Sequence, residues 1–136
     1  MLVAHDWGCF YGYLFDQKYP KYFNQIMAMD VPPHAELNTI SKVLMVMAYQ
    51  LFLAFAFFIG GPIGRSLTLN FVKFSRHNPP YLNQINSARN YPYYYLWKRI
   101  FLSLLRLRKP YLNRRYEPSV PLVYMYGSKK PFQFHG

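Results

Sequence analysis

The first ten residues, Met1-Leu2-Val3-Ala4-His5-Asp6-Trp7-Gly8-Cys9-Phe10, restrict the fold more than any other stretch of the chain. An apolar run ends on a small residue. It gives way to His-Asp-Trp, two further small residues and an aromatic segment with helical spacing. That order predicts a strand passing through a sharp turn into a helix, with Asp6 at the apex. Backbone at such an apex is strained, and small residues at Ala4, Gly8 and Cys9 keep the crossing strand and helix apart. His5 is expected to pack or hydrogen-bond beneath the turn. A carboxylate at the apex can attack carbon directly and form an ester. The helix that starts behind it offers backbone N–H groups and a positive dipole end. The plainer alternative is a strand that ends in a solvated Asp turn.

The next thirty residues extend this unit. Helical spacing of Phe10, Tyr11, Leu14 and Phe15 predicts a helix over 8–18, stopped at Tyr19-Pro20 because a residue preceding proline avoids helical backbone. Residues 23–29 read as a short buried strand ended by Asp30-Val31-Pro32-Pro33. A strand–helix–strand connection makes the two strands parallel neighbours. Asp30 then lies at the same rim as Asp6, the edge where open α/β sheets bind ligands. Two carboxylates so placed suit a nucleophile and a histidine-orienting acid. An Asx turn before the prolines is the structural alternative for Asp30.

From Pro32 the chain leaves the sheet for a helix-rich insertion. Asn38 or Thr39 is suited to cap a helix running to about residue 59. Residues 43–64 carry no charge, long enough for a transmembrane helix. Tyr49-Gln50 at its centre and the Gly60-Gly61-Pro62-Ile63-Gly64 break favour a buried or membrane-lying helix instead. Residues 67–74 form a second amphipathic piece, 84–90 are polar and suited to begin another short helix, and 97–108 read as a basic amphipathic helix with a solvated basic face, a helix lying on a membrane surface being the alternative. Residues 120–127 return as a strand. The fold class expected is α/β, with parallel core strands and an inserted helical region. Its segments are 1–33, 34–118 and 119–136.

His5-Asp6-Trp7-Gly8 resembles the nucleophile motif of the epoxide hydrolase and haloalkane dehalogenase branch of the α/β-hydrolases. The resemblance implies a partial α/β-hydrolase fold whose insertion is a cap over the active site. It implies Asp6 as nucleophile and the Trp7 backbone N–H as an oxyanion donor. Asp30 takes the acid role, since Ser128-Lys129-Lys130-Pro131 after the last strand offers no carboxylate. Tyr49, followed by Gln50 as a substrate-binding residue, resembles a cap tyrosine that hydrogen-bonds the epoxide oxygen and stabilises the alkoxide. The second donor is one of Tyr93, Tyr94 or Tyr95, with Tyr94 chosen. The implied partner is a small apolar electrophile, and no metal or organic cofactor is implied. His135 follows the last strand too soon to match the family's base, and the His-Gly oxyanion segment has no counterpart. The chain is therefore expected to be an internal segment of a larger hydrolase, inactive alone. The alternatives are a dehalogenase-like enzyme or a non-catalytic, membrane-associated remnant.

Charge narrows the partners. Sixteen Lys and Arg face five Asp and Glu, and the positive residues cluster between Arg65 and Lys130 among apolar runs. No zinc-ligand spacing, helix-turn-helix or RNA-recognition signature accompanies them, so a basic surface on the inserted region, or attraction to a membrane face, is expected and nucleic acid is not. Cys9 is the single cysteine, which excludes an internal disulfide, and the four His show no metal-ligand spacing. Cytoplasmic and membrane-associated locations both stay open, as does the oligomeric state.

Overall fold

The computed structural model describes residues 1–34, 39–75, 82–107 and 116–127. It divides into two compact units, one of Met1–Ile40 with Tyr111–Gly136 and one of Ser41–Pro110.

The first unit is α/β. Strand β1 (Leu2–His5) leads into helix α1 (Trp7–Lys18), which returns to β2 (Ile26–Met29), and the sheet is completed by β3 (Leu122–Met125). The order is β1-β2-β3 and every pairing is parallel, Leu2 opposite Ile26 and Ile26 opposite Leu122. Strand β2 is shorter than the expected 23–29. Phe23 instead joins an aromatic cluster, its ring 5.4 Å from Phe15 and 5.2 Å from Tyr22. Ala4 and Ala28 point into a core shared with Cys9, Tyr13 and Tyr116, which Leu2, Val31, Leu122 and Tyr124 flank. Small side chains on the strands leave room for two tyrosine rings, Tyr13 and Tyr116, stacked 4.9 Å apart.

Asp16, on the inner face of α1, is also buried. Its carboxylate accepts the Tyr116 hydroxyl at 2.7 Å, the Ser119 N–H at 3.0 Å and the Ser119 hydroxyl at 2.5 Å. A buried carboxylate needs such partners, and here they clamp the helix to the segment that re-enters the sheet. Burial pushes the Asp16 carboxyl up, but the bonds from Ser119 and Tyr116 outweigh it and hold the group below the ordinary aspartate value.

The second unit is helical: α2 (Ile40–Ile59), α3 (Gly61–Phe74), two single 3-10 turns (Leu82–Gln84 and Ser87–Asn90) and α4 (Tyr91–Leu104). Gly60 and Gly61 take positive φ between α2 and α3, where a side chain would be strained. The glycine-rich stretch is a narrower break than expected, because Pro62 sits in the first turn of α3 and starts the helix. Gly64 has no room for a methyl group, which would collide with the Ala56 carbonyl oxygen. Thr68 binds the Gly64 carbonyl and accepts the Asn90 amide, both at 2.8 Å, while Arg65 donates to the Ile85 and Asn83 carbonyls.

Two further expectations need correction. Residues 84–90 belong to the two 3-10 turns and not to one helix. The helix expected over 97–108 begins at Tyr91 and has its last helical residue at Leu104, Pro92 again occupying a first turn. Asn38, His77, Arg108, Ser128-Lys129-Lys130-Pro131 and His135 lie outside the described residues.

Candidate active site

The apex geometry is built by the sheet. Asp6 follows β1 with φ 51° and ψ −122°, a conformation that side chains other than glycine rarely adopt. Its N–H donates to the Met29 carbonyl at 3.2 Å, continuing the ladder, and its carbonyl accepts the Cys9 N–H at 3.0 Å, opening the helix. Strand pairing on one side and the helix on the other thus hold the strain in place. The Asp6 side chain is exposed and does not cap α1, and the first turn of that helix carries no acidic residue. The positive end of a helix dipole favours a negative charge beside it. Trp7 is the first helical residue; its ring lies edge-on to Phe10 at 5.7 Å.

Asp30 stands at the end of β2, one strand away, also at positive φ of 70°. Its N–H donates to the Met125 carbonyl at 3.0 Å, and its carbonyl accepts the Tyr124 hydroxyl at 3.3 Å. The residues on either side are tied to α1, with Cys9 Sγ on the Met29 carbonyl at 3.2 Å and the Tyr13 hydroxyl on the Val31 carbonyl at 2.7 Å. Burial raises the Cys9 thiol, which is packed in the core beside the turn. Of the two expectations for His5, packing or a hydrogen bond beneath the turn, the structure shows a hydrogen bond: its exposed ring places Nε2 2.8 Å from Asp30 Oδ2. Asp30 is thus hydrogen-bonded to a histidine side chain. The signal lay in the register, which sets His5 opposite Met29, one residue before Asp30.

Tyr49, Gln50 and Tyr94 belong to the second unit. Tyr49 and Gln50 are half-buried on α2. The Tyr49 ring stacks on Phe71 at 6.2 Å and meets Tyr93 edge-on at 6.0 Å. Tyr94 turns toward Phe57 at 5.0 Å and Phe58 at 6.2 Å, with Lys98 Nζ 5.8 Å from its ring centre. The tyrosine that Tyr49 meets is thus Tyr93, a residue the local sequence left undistinguished from its neighbours. Among the described residues no three His, Cys, Asp or Glu side chains cluster as metal ligands.

Compared with known proteins, the chain matches no family model, no curated protein and no solved structure.

Proposed function

We propose that the chain carries the nucleophilic machinery of a hydrolase that opens epoxides through an ester on Asp6. The observation that carries this reading is the strained Asp6 apex between β1 and α1, with its carboxylate exposed and not spent on capping the helix. In the first step an Asp6 carboxylate oxygen attacks an epoxide carbon. The carbon–oxygen ring bond breaks, and the alkoxide takes a proton from a donor such as water. The Trp7 backbone N–H then faces the ester oxygen as charge develops there. Water attacks the ester carbonyl carbon and gives a proton to a histidine held by Asp30. The acyl–oxygen bond breaks, the leaving alkoxide takes that proton to become the diol, and the remaining carboxyl proton returns to the donor of the first step, restoring Asp6 as carboxylate. His5 is the histidine that Asp30 engages in the described residues.

Intact-mass measurement with peptide mapping tests the first step directly. After incubation with styrene oxide, the chain is expected to gain the mass of one epoxide on the peptide bearing Asp6, and Asp6→Asn to gain none. An adduct on Cys9 alone, or none, overturns the reading. An ester formed from a haloalkane with halide release, but not from the epoxide, replaces oxygen by halide as leaving group. His5→Gln tests the second step: the ester should persist in the variant and decay in the parent. A parent that retains its ester excludes His5 as the base.

A further inference from the structure

Helix α2 is turned inside out relative to a soluble amphipathic helix. Beyond Lys42 its polar residues are Tyr49 and Gln50, and both are half-buried, whereas Phe55 and Phe58 are 55% and 69% exposed. The exposed apolar face continues onto α4. Leu51, Phe55 and Phe58 form one wall of an open groove of about 550 Å³, and Trp97, Lys98 and Phe101 form the other. Past the groove, Leu104 and Leu105 at the end of α4 are 72% and 68% exposed. A contiguous apolar surface of this kind is not left to water in a soluble domain.

Charge says what covers it. Residues 41–110 contain ten Lys and Arg and no Asp or Glu, while the remaining residues hold six Lys and Arg and five Asp and Glu. Almost all of the net positive charge therefore belongs to the unit that exposes the apolar face. A second copy of the same surface would bring like charges together. An anionic lipid surface satisfies both properties, accepting apolar side chains between acyl chains and Lys or Arg among phosphates. Lys98, at the groove wall with its ammonium over Tyr94, has the stem and head that such a boundary suits. Trp97 contributes apolar ring surface to the same groove wall.

We propose that the α2–α4 face docks the second unit onto a negatively charged bilayer, with α2 lying along the interface. Length and composition alone would let α2 cross a membrane. Its other side is committed to the protein, however. Val46, Leu53, Ala54 and Ala56 are buried, Tyr49 stacks on Phe71 of α3, and Gly64 sits against the Ala56 carbonyl. A spanning helix would abandon those contacts.

Vesicle flotation of the full chain tests the assignment. The protein is expected to float with phosphatidylcholine–phosphatidylserine vesicles, to bind phosphatidylcholine alone much less, and to release as salt is raised. The double variant F55S/F58S removes two exposed rings, so its thermal unfolding should match the parent while the partition coefficient falls roughly tenfold. Asp6→Asn should float like the parent, which separates this proposal from the catalytic one. Lack of flotation, or parental flotation by the double variant, overturns it. So does resistance of the membrane-bound chain to alkaline carbonate, which marks a spanning helix. A dimer that forms without binding vesicles and dissociates in F55S/F58S assigns the face to a second copy instead.

Discussion

The two units solve opposite problems. The sheet unit draws a carboxylate, Asp16, into its interior and satisfies it with Tyr116 and Ser119. The helical unit has no acidic residue, joins its helices through Gly64, Thr68 and Asn90, and leaves aromatic side chains in the open. A buried polar clamp gives a sheet of three four-residue strands the cohesion its small core lacks. Close helix contact through small residues needs no large core, and that frees the large side chains for another surface. Nature has also provided a reporter for each unit, since Trp7 lies in one and Trp97 in the other.

The largest effect is expected at Asp16. Asp16→Ala leaves the Tyr116 hydroxyl and both Ser119 groups without their acceptor, at a penalty on the order of 3 kcal/mol. Urea unfolding followed by Trp7 in a Trp97→Phe background should show it, and Trp97 in the converse background should not. Equal loss at both reporters would break the comparison, because the clamp would then support the whole chain. The same carboxylate predicts the acid response. Its folded value lies below its unfolded one, so its stabilisation is present above the ordinary aspartate range and is lost as pH falls through the lowered value. Asp16→Asn should flatten that acid limb in the Trp7 signal.

Gly64→Ala is the counterpart in the helical unit. The added methyl meets the Ala56 carbonyl, and Ser87 Oγ lies 3.1 Å from the same point. Backbone cannot yield as a side-chain tip can, so a loss of about 2 kcal/mol is expected from overpacking. It should register at Trp97 and leave Trp7 unmoved. A neutral Gly64→Ala would mean that the close approach of α3 to α2 is not what holds the helical unit.

Much of the sheet unit was legible in the sequence, for a physical reason: its signals are local. The turn at Asp6, the stop at Tyr19-Pro20 and the parallel pairing of β1 with β2 each follow from neighbouring residues. Asp16 was not legible, because its partners Tyr116 and Ser119 lie about a hundred residues away and an acid in a helix reads as solvated. The partner of His5 was not legible because it depends on register across two strands. In the helical unit, Pro62 looked like part of an interruption, although proline in a first turn starts a helix. The uniform apolarity of α2 concealed which side is exposed, since a helix apolar on both faces carries no periodic signal.

The smallest effects test the reasoning about small residues beside the apex. Sequence logic made Gly8 a steric necessity, yet a methyl group there would lie 3.9 Å from Ala4 Cβ, an ordinary contact. The tight position is Gly12, one turn later, where the methyl would come within 2.9 Å of Leu2 Cδ2. Both sit inside α1, where alanine is favoured over glycine by about 1 kcal/mol. Gly8→Ala is therefore expected to stabilise the sheet unit by up to about 1 kcal/mol, since nothing offsets the propensity gain. At Gly12 the gain is opposed by displacing the Leu2 side chain, and the net change should be near zero or slightly destabilising. The order of the two midpoints, read at Trp7, decides where strand and helix press together. A destabilised Gly8→Ala would return the constraint to the apex itself. A stabilised one that still forms the Asp6 ester would show that the nucleophile turn depends on Asp6 backbone strain held by β2 and α1, and not on the size of the residue two places on.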